Sequence, residues 1–330
     1  MMNGAVLVLT DHTDHTTDLI VHALQQRDAH VVRLDLGDER LWLDAHLDPD
    51  TGRWRGQIGD EHRAAHLDQV TGVLWRWPGP PAGHPAITDP AARAWAAREN
   101  TLALHGVLAT LPARWINHPD AAAACRKPGQ LVTARACGLT VPDTVLTTRG
   151  AAVTAWADGR TVLYKAQHAA GADPDTMVTA GPADPAALPR HLGAVSCFQP
   201  IITGPSIRLT TVGEQMFAVR ITGYPPELID WRPIQDRLAF TPIPVPAPIA
   251  AGVRAFLDRY GLEYGALDFI ETSRGWTLLE INPTGMYGFV EIQSGLRITD
   301  AIADRLLTPP PPANPRVPRA GRQPGPTVAP

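Results

Sequence analysis

Gly265-Ala-Leu-Asp268-Phe-Ile270 and Leu278-Leu-Glu280-Ile-Asn282-Pro-Thr-Gly285 are two apolar runs, each interrupted by an acidic side chain. Both read as strands. Glu280 and Asn282 are two residues apart, so on a strand they point to one face. Thr272 to Gly275 reads as a turn, and a hairpin there sets Asp268 opposite that pair. Three hard oxygen donors on one face suit Mg2+, which completes its shell with waters and phosphate oxygens. A single carboxylate at a strand end is ordinarily a solvated surface group. Two acids and an amide inside Leu and Ile runs are harder to place that way, because an unpaired buried carboxylate is costly and a metal relieves the cost.

Outward from this pair, cationic side chains are unevenly chosen. Lys127 and Lys165 are the only lysines, and every other strong base is Arg. Lys165 lies in Val-Leu-Tyr-Lys-Ala, a strand; Lys127 lies within a helical stretch. A compact ammonium suits phosphate oxygens, although a lone Lys more commonly runs its stem along the surface to reach solvent. His168 to Gly181, with Gly and Pro steps, reads as a flap that covers phosphates. Cys197-Phe-Gln199-Pro200-Ile201-Ile202 is an apolar strand with one polar side chain, and its backbone groups can pair with an adenine edge.

The start of the chain has a different pattern. Ala5–Leu9 and His30–Leu34 read as strands flanking a helix over Asp18–Arg27, and Val70–Trp75 as a third strand. This β-α-β opening predicts a parallel, doubly wound first domain. A long helix is expected over Asp89–Leu111, with Asp89 as cap and Pro90 at its first position. A strand and turn follow at Trp115–Pro119, then a helix over Ala121–Cys137 closed by Gly138. An extended segment runs from Val141 to Thr148. The second half reads as strands at Thr161–Ala166, Ser196–Ile202, Ile207–Val212, Gln215–Thr222, Gly265–Glu271 and Trp276–Ile281, with one helix at Ala247–Tyr260. The fold class expected is α/β (α+β). The segment after Leu307 is rich in Pro, Arg and Gly without an apolar period, and is expected to be disordered.

Composition narrows the function. With 330 residues and 44% hydrophobic residues the chain can build more than one core. A formal net charge of −4 gives no basic field for nucleic acid or anionic membrane. No apolar run reaches membrane-spanning length, and no signal peptide is evident. Three cysteines, Cys125, Cys137 and Cys197, make no disulfide framework, so a cytoplasmic protein is expected. The loose groups His12, His15, His22 and His62, His66 read as solvated surface more readily than as a metal site.

The ordered set Asn117-His-Pro119, Lys127, Val141-Pro-Asp-Thr144, Lys165, Phe198-Gln199-Pro200, Arg208, Arg220, Asp268 and Glu280-Ile-Asn282-Pro resembles the ATP-grasp fold over roughly residues 6–306. Within it the chain looks most like the ligases that mature ribosomal peptides, the microviridin-type or graspetide synthetases. Leu74-Trp75-Arg76 before a Pro-rich loop, Ser206-Ile-Arg208 before Val212-Gly-Glu-Gln-Met-Phe-Ala-Val219, and Asp230-Trp231-Arg232 carry that likeness. Trp77 differs from the second basic residue common in relatives, and the Pro-rich tail has no counterpart.

The resemblance implies a pre-ATP-grasp α/β domain over 1–115, a central nucleotide-lid subdomain over 116–195, a C-terminal ATP-grasp domain with the metal site over 196–307, and a tail over 308–330. It implies that Lys127 and Lys165 contact ATP phosphates and that Gln199, Pro200, Ile201 and Ile202 form the adenine hinge. Asp268, Glu280 and Asn282 would hold Mg2+, as two ions. Arg208 and Arg220 would act at the triphosphate or acyl phosphate, and Arg208, Asp230 and Arg232 would engage substrate. The implied reaction phosphorylates Glu or Asp side chains of a precursor peptide, made of leader and core, and joins them to Ser, Thr or Lys as macrocyclic ω-esters or ω-amides. A homo-oligomer, dimer or tetramer, is also implied. Two other readings stand beside it: a ligase adding a free amino acid or amine to a carboxylate, which would use the same ATP site, and a non-catalytic nucleotide-binding module, which would be expected to have lost some of these acids or lysines.

Overall fold

The computed structural model of the protein describes residues 4–167, 180–225 and 228–309. The opening alternates strand and helix: β1 (Ala5–Leu9), α1 (His15–Gln25), β2 (His30–Leu34), then β3 (Trp42–Asp48), β4 (Arg53–Gly59) and β5 (Ala64–His66), then β6 (Val70–Trp75), α2 (Pro90–Leu108) and β7 (Arg114–Ile116). The first sheet is parallel in the order β2-β1-β6-β7. All five residues of β1 are buried, which accounts for its unbroken apolar run. Asp14 accepts from the Thr17 backbone N–H and starts α1 earlier than the apolar spacing alone suggests. Asp89 caps α2 with Pro90 in its first turn, as expected. Strands β3, β4 and β5 form a separate antiparallel sheet that the sequence reading does not include. Their solvent faces carry Asp, His and Arg, and this interrupts the apolar alternation.

Next come α3 (Pro119–Ala124) and α4 (Lys127–Ala136). The single helix expected over Ala121–Cys137 is therefore two, broken at Cys125 and Arg126. Pro119 and Pro128 each sit in a first turn, where a missing N–H costs nothing. Elements β8 (Val145–Arg149), α5 (Gly150–Ala157), β9 (Val162–Lys165), β10 (Gly181–Ala183) and β11 (His191–Pro200) follow, and the central sheet has the order β10-β9-β11-β8. The flap expected at His168–Gly181 lies outside the described residues up to residue 179. The expected division between residues 195 and 196 falls inside β11, which pairs with β8 and β9.

The last sheet is built from β12 (Ser206–Val212), β13 (Gln215–Thr222), β14 (Ala239–Ile243), β15 (Tyr264–Thr272) and β16 (Gly275–Asn282) in the antiparallel order β14-β13-β12-β15-β16. Helix α6 (Ala247–Tyr260) has the expected bounds and ends on Gly261 in the left-handed region. Helices α7 (Gly288–Ser294) and α8 (Ile298–Leu307) complete the described chain. Beyond Pro309 the expected disordered tail lies outside the described residues.

Burial shows how these parts join. One core combines Val6, Val8, Ile20 and Leu24 of the first domain with Val219, Tyr264 and Tyr287 of the last, and Ile302 and Leu306 of α8 belong to it. On the other face of the last sheet, α3, α4 and α6 pack over Leu209, Phe269 and Leu278. The central sheet has a small core of its own around Val153, Ala157, Val162 and Phe198. No described helix is long and apolar enough to cross a membrane.

Candidate active site

The antiparallel register builds a polar row across three neighbouring strands. Arg208 of β12 lies opposite Asp268 of β15, and Asp268 lies opposite Glu280 of β16. Opposed residues share a face, so one guanidinium and two carboxylates line up on one side of the sheet. Arg208 Nη1 donates to Asp268 Oδ1 at 2.7 Å, and its Nη2 donates to the Met286 carbonyl at 2.7 Å. Asn282 Nδ2 approaches Glu280 Oε1 at 3.3 Å, which confirms that these two side chains share a face.

Both lysines converge on Glu280. Lys165 Nζ is 3.0 Å and Lys127 Nζ 3.2 Å from Glu280 Oε2. They arrive from different elements, Lys165 at the end of β9 and Lys127 at the first residue of α4, not in a helix interior as expected. Lys165 also donates to the Leu279 carbonyl at 3.2 Å. Burial pushes the Glu280 carboxyl upward, but Lys165 and Lys127 outweigh it and hold the group at about 2. At neutral pH the centre is thus one carboxylate between two ammonium groups.

A cleft of about 320 Å³ opens beside this row, between the central and last sheets. Its wall runs along Gln199, Pro200, Ile201 and Ile202 of the expected hinge, and Leu279, next to Glu280, forms part of it. The Gln199 side chain is buried and donates to Thr144 Oγ1 at 3.0 Å, so it holds β11 against the start of β8. A second, smaller hollow continues past Gln199 to Lys127, Lys165 and Glu280.

Three expected site residues are occupied with partners of their own. Arg220 lies opposite Ile207, one position along from Arg208, so it points to the other face of the sheet. There it makes a two-pronged pair with Glu271 at 2.8 and 2.9 Å and does not join Arg208. Its expected part at the triphosphate or acyl phosphate is not one it shares with Arg208 on a single face of the sheet. Asp230 and Arg232 turn to each other in a fork, with Nε 2.8 Å from Oδ1 and Nη2 2.5 Å from Oδ2. Trp231 between them packs against Phe289, and the Arg208 guanidinium stands 5.9 Å from the Phe289 ring. The fork is therefore near the row while occupied with its own carboxylate.

A polar junction not anticipated from sequence anchors the site from below. Arg76, at the end of β6, donates from Nε to Asp14 Oδ2 at 2.6 Å, and Thr10 and Thr17 donate to the same oxygen. Arg76 Nη1 reaches the Gly285 carbonyl at 3.4 Å and Trp77 Nε1 donates to Thr284 Oγ1 at 3.1 Å. The loop that follows Asn282 is thereby tied to the first domain. The Leu74-Trp75-Arg76 segment was the available signal, but its partner Asp14 sits in what reads as a polar loop.

Among the described residues no three His, Cys, Asp or Glu side chains form a metal cluster. The donor set at the row is two carboxylates and one amide, all hard oxygens, which fits Mg2+ sharing its shell with phosphate.

Residues 5–123 match the model of the MvdD pre-ATP grasp domain. Among solved structures, the macrocyclase MdnC of Microcystis aeruginosa, solved with its precursor peptide MdnA, is 24% identical with a TM-score of 0.78, and the match covers 92% of this chain and 99% of that one. A RiPP-associated ATP-grasp ligase of Chryseobacterium gregarium, solved with ADP and a leader and core peptide, is 23% identical with a TM-score of 0.80, over 92% of this chain and 96% of that one. The chain has the ATP-grasp fold. The ATP-grasp ligase PsnB, solved with a minimal precursor, aligns over 93% of this chain at 20% identity and a TM-score of 0.72. No curated protein sequence matches the chain. The resemblance to the ATP-grasp fold over roughly residues 6–306 is borne out.

Proposed function

We propose that this ATP-grasp chain is a peptide macrocyclase. It would phosphorylate a Glu or Asp side chain of a ribosomally made precursor peptide and join the activated carboxyl to a Ser, Thr or Lys side chain. The observation that carries this reading is the row Arg208–Asp268–Glu280 with two lysines on Glu280, beside a cleft walled by Gln199 to Ile202. The precursor-bound macrocyclase and ligases of the same fold support the choice of a peptide over a small acceptor.

The chemistry runs in two steps. A substrate carboxylate oxygen attacks the γ-phosphorus of ATP, ADP leaves, and an acyl phosphate forms. A hydroxyl or amine then attacks the acyl carbon, phosphate leaves, and the nucleophile gives up its proton. The peptide loses one water per ring. Asp268, Glu280 and Asn282 would hold Mg2+, and the expectation of two ions rests on the resemblance. When bound, the metal neutralises and aligns the phosphates. Lys127 and Lys165 supply positive charge where the phosphates would lie, and the Gln199–Ile202 backbone supplies donors and acceptors for adenine. Arg208, buried and held by Asp268 and the Met286 carbonyl, presents a fixed cation to the acidic side chain. Arg232 would meet the core peptide once its fork opens from Asp230.

Mass spectrometry of a candidate precursor, a short Ser/Thr- and Asp/Glu-rich peptide sought among the neighbouring reading frames and incubated with the protein, ATP and Mg2+, tests the reading. The expected product is lighter by one water per ring. A heavier product would instead make this an amino-acid ligase, and nucleotide binding indifferent to Mg2+ in calorimetry would remove the metal assignment.

A further inference from the structure

Glu280, Ile281 and Asn282 end β16, an edge strand of the last sheet, and Pro283 follows. The register of β16 with β15 shifts between Asp268 and Phe269, so Leu279 has no opposite residue. A bulge of this kind bends a strand and re-aims the neighbouring side chain, here Glu280. The outer side of an edge strand also has N–H and C=O groups that no further strand pairs. Strand pairing alone therefore does not settle where Glu280 and Asn282 point.

Two buried side-chain amides hold the segment. Gln130 of α4 is 2% and Asn117 1% exposed. Gln130 Nε2 donates to the Ile281 carbonyl at 2.8 Å, and the Ile281 N–H donates back to Gln130 Oε1 at 3.0 Å. This is the two-way exchange that a neighbouring strand would make. Gln130 Nε2 also donates to the Cys125 carbonyl at 2.8 Å, at the break between α3 and α4. Asn117 Nδ2 donates to the Pro283 carbonyl at 2.7 Å and the Tyr264 carbonyl at 2.8 Å. Its Oδ1 accepts from the Glu263 and Tyr264 N–H groups at 2.7 and 3.0 Å. Each amide thus uses its oxygen and both its hydrogens. The backbone is gripped at Ile281 and at Pro283, on either side of Asn282. Gln130 stands one turn along α4 from Lys127, whose ammonium is 3.2 Å from Glu280, so the helix and the strand meet twice.

A buried amide can serve only to pair stray backbone groups. Here the groups it pairs belong to the residues that alternate with Glu280 and Asn282, and the helix it stands on supplies Lys127. We propose that Gln130 and Asn117 are positioning residues, which fix the backbone at Ile281 and Pro283 and thereby aim Glu280 and Asn282 at Mg2+. The inference rests on the proposed metal assignment of those two side chains.

Calorimetric titration of the full chain with ADP over a series of Mg2+ concentrations, with a thermal melt of each protein, is the experiment. The quantity read is the Mg2+ concentration that gives half-maximal ADP binding. The wild type should show such a requirement, and Glu280→Gln should raise it. Gln130→Met keeps the side-chain length but can make none of the three bonds. It should raise the requirement at least about tenfold, the scale on which partners behind a metal ligand act. Asn117→Asp, which sets an oxygen against two carbonyls, should do the same. Leu108→Ala, in the core of the first domain, should lower the melting temperature and leave the requirement unchanged. If Gln130→Met does not fold, Gln130→Asn, which draws the amide back by a methylene, is read in the same way. A folded Gln130 or Asn117 variant with the wild-type requirement, or an equal shift in Leu108→Ala, would overturn the proposal and leave the metal assignment standing. Wild-type binding indifferent to Mg2+, or Glu280→Gln without effect, would overturn the metal assignment and the positioning role with it.

Discussion

Two ammonium groups face the Glu280 carboxylate and outweigh its burial, so it is charged at neutral pH. Glu280→Gln keeps the volume and removes the charge that both lysines share. The expected outcome is a fall in turnover of at least about a hundredfold, with an unchanged circular dichroism spectrum; this scale is that of removing one strong electrostatic group from a preorganised site. Gly285 makes a different residue-level demand. A Cβ there would stand 2.6 Å from the Ala266 Cβ and 3.2 Å from Arg208 Nη2. Gly285→Ala should therefore displace the loop that carries the Met286 carbonyl away from Arg208. Activity is expected to drop about tenfold or more, with a small loss in melting temperature, since overpacking of this kind costs about 1–3 kcal/mol. At this scale the sequence is informative where a residue is chemically out of place. Asp268, Glu280, Asn282 and the two lysines stand out against apolar strands, and the fold brings all five together. For Arg220, sequence order does not show on which face of the strand the guanidinium falls until the register with its neighbour is known.

Among elements, those with a clean period or cap were legible: β1, β6, α2 and α6 have residues that leave little choice. The sheet β3-β4-β5 was not, because its strands are only partly buried and carry charges on their open face. Helix α8 shows an apolar period at Ile298, Ala301, Ile302 and Leu306, but what it packs between is a tertiary fact. Its end also gives the residues just after Leu307 a part in the fold. Buried Arg114 donates from Nη2 to the Pro309 carbonyl at 2.7 Å and from Nη1 to Glu263, which in turn accepts from Arg305. Truncation after Pro309 should leave stability unchanged. Truncation after Leu307 strips a buried donor of its acceptor, and a loss of about 1–3 kcal/mol is expected from that alone. Thermal melts of the two truncated proteins, compared with the full chain, distinguish these outcomes.

The molecule as a whole is bound together by the contact between its first and last domains, and the Asp14–Arg76 pair is the charged part of that contact. Both side chains are almost fully buried. Burial pushes the Asp14 carboxyl up, but Arg76 with the Thr17 and Thr10 hydroxyls lowers it below the usual carboxylate value. A lowered folded-state value stabilises the protein above the ordinary carboxylate range, and the stabilisation fades as pH falls through the folded value. The wild type should thus lose stability on acidification below about pH 4. In Asp14→Asn this part of the pH dependence should flatten. Arg76→Met leaves Asp14 charged without its partner and should cost about 3–5 kcal/mol at neutral pH, read from chemical denaturation.

The small separate core beneath the central sheet has a consequence for how the protein breathes. The first and last domains form one continuous interior, whereas β8 to β11 rest on four fully buried side chains and a few neighbours. Such a unit opens at a lower free energy than the rest of the molecule. Amide hydrogens of β8, β9 and β11 should therefore exchange with solvent earlier than those of β1 or β12. Whatever fills the seam grips the weaker body and the stronger one at once, and by mass action it transfers stability to the weaker. Slowed exchange confined to β8–β11 would then report occupancy of the cleft without any turnover.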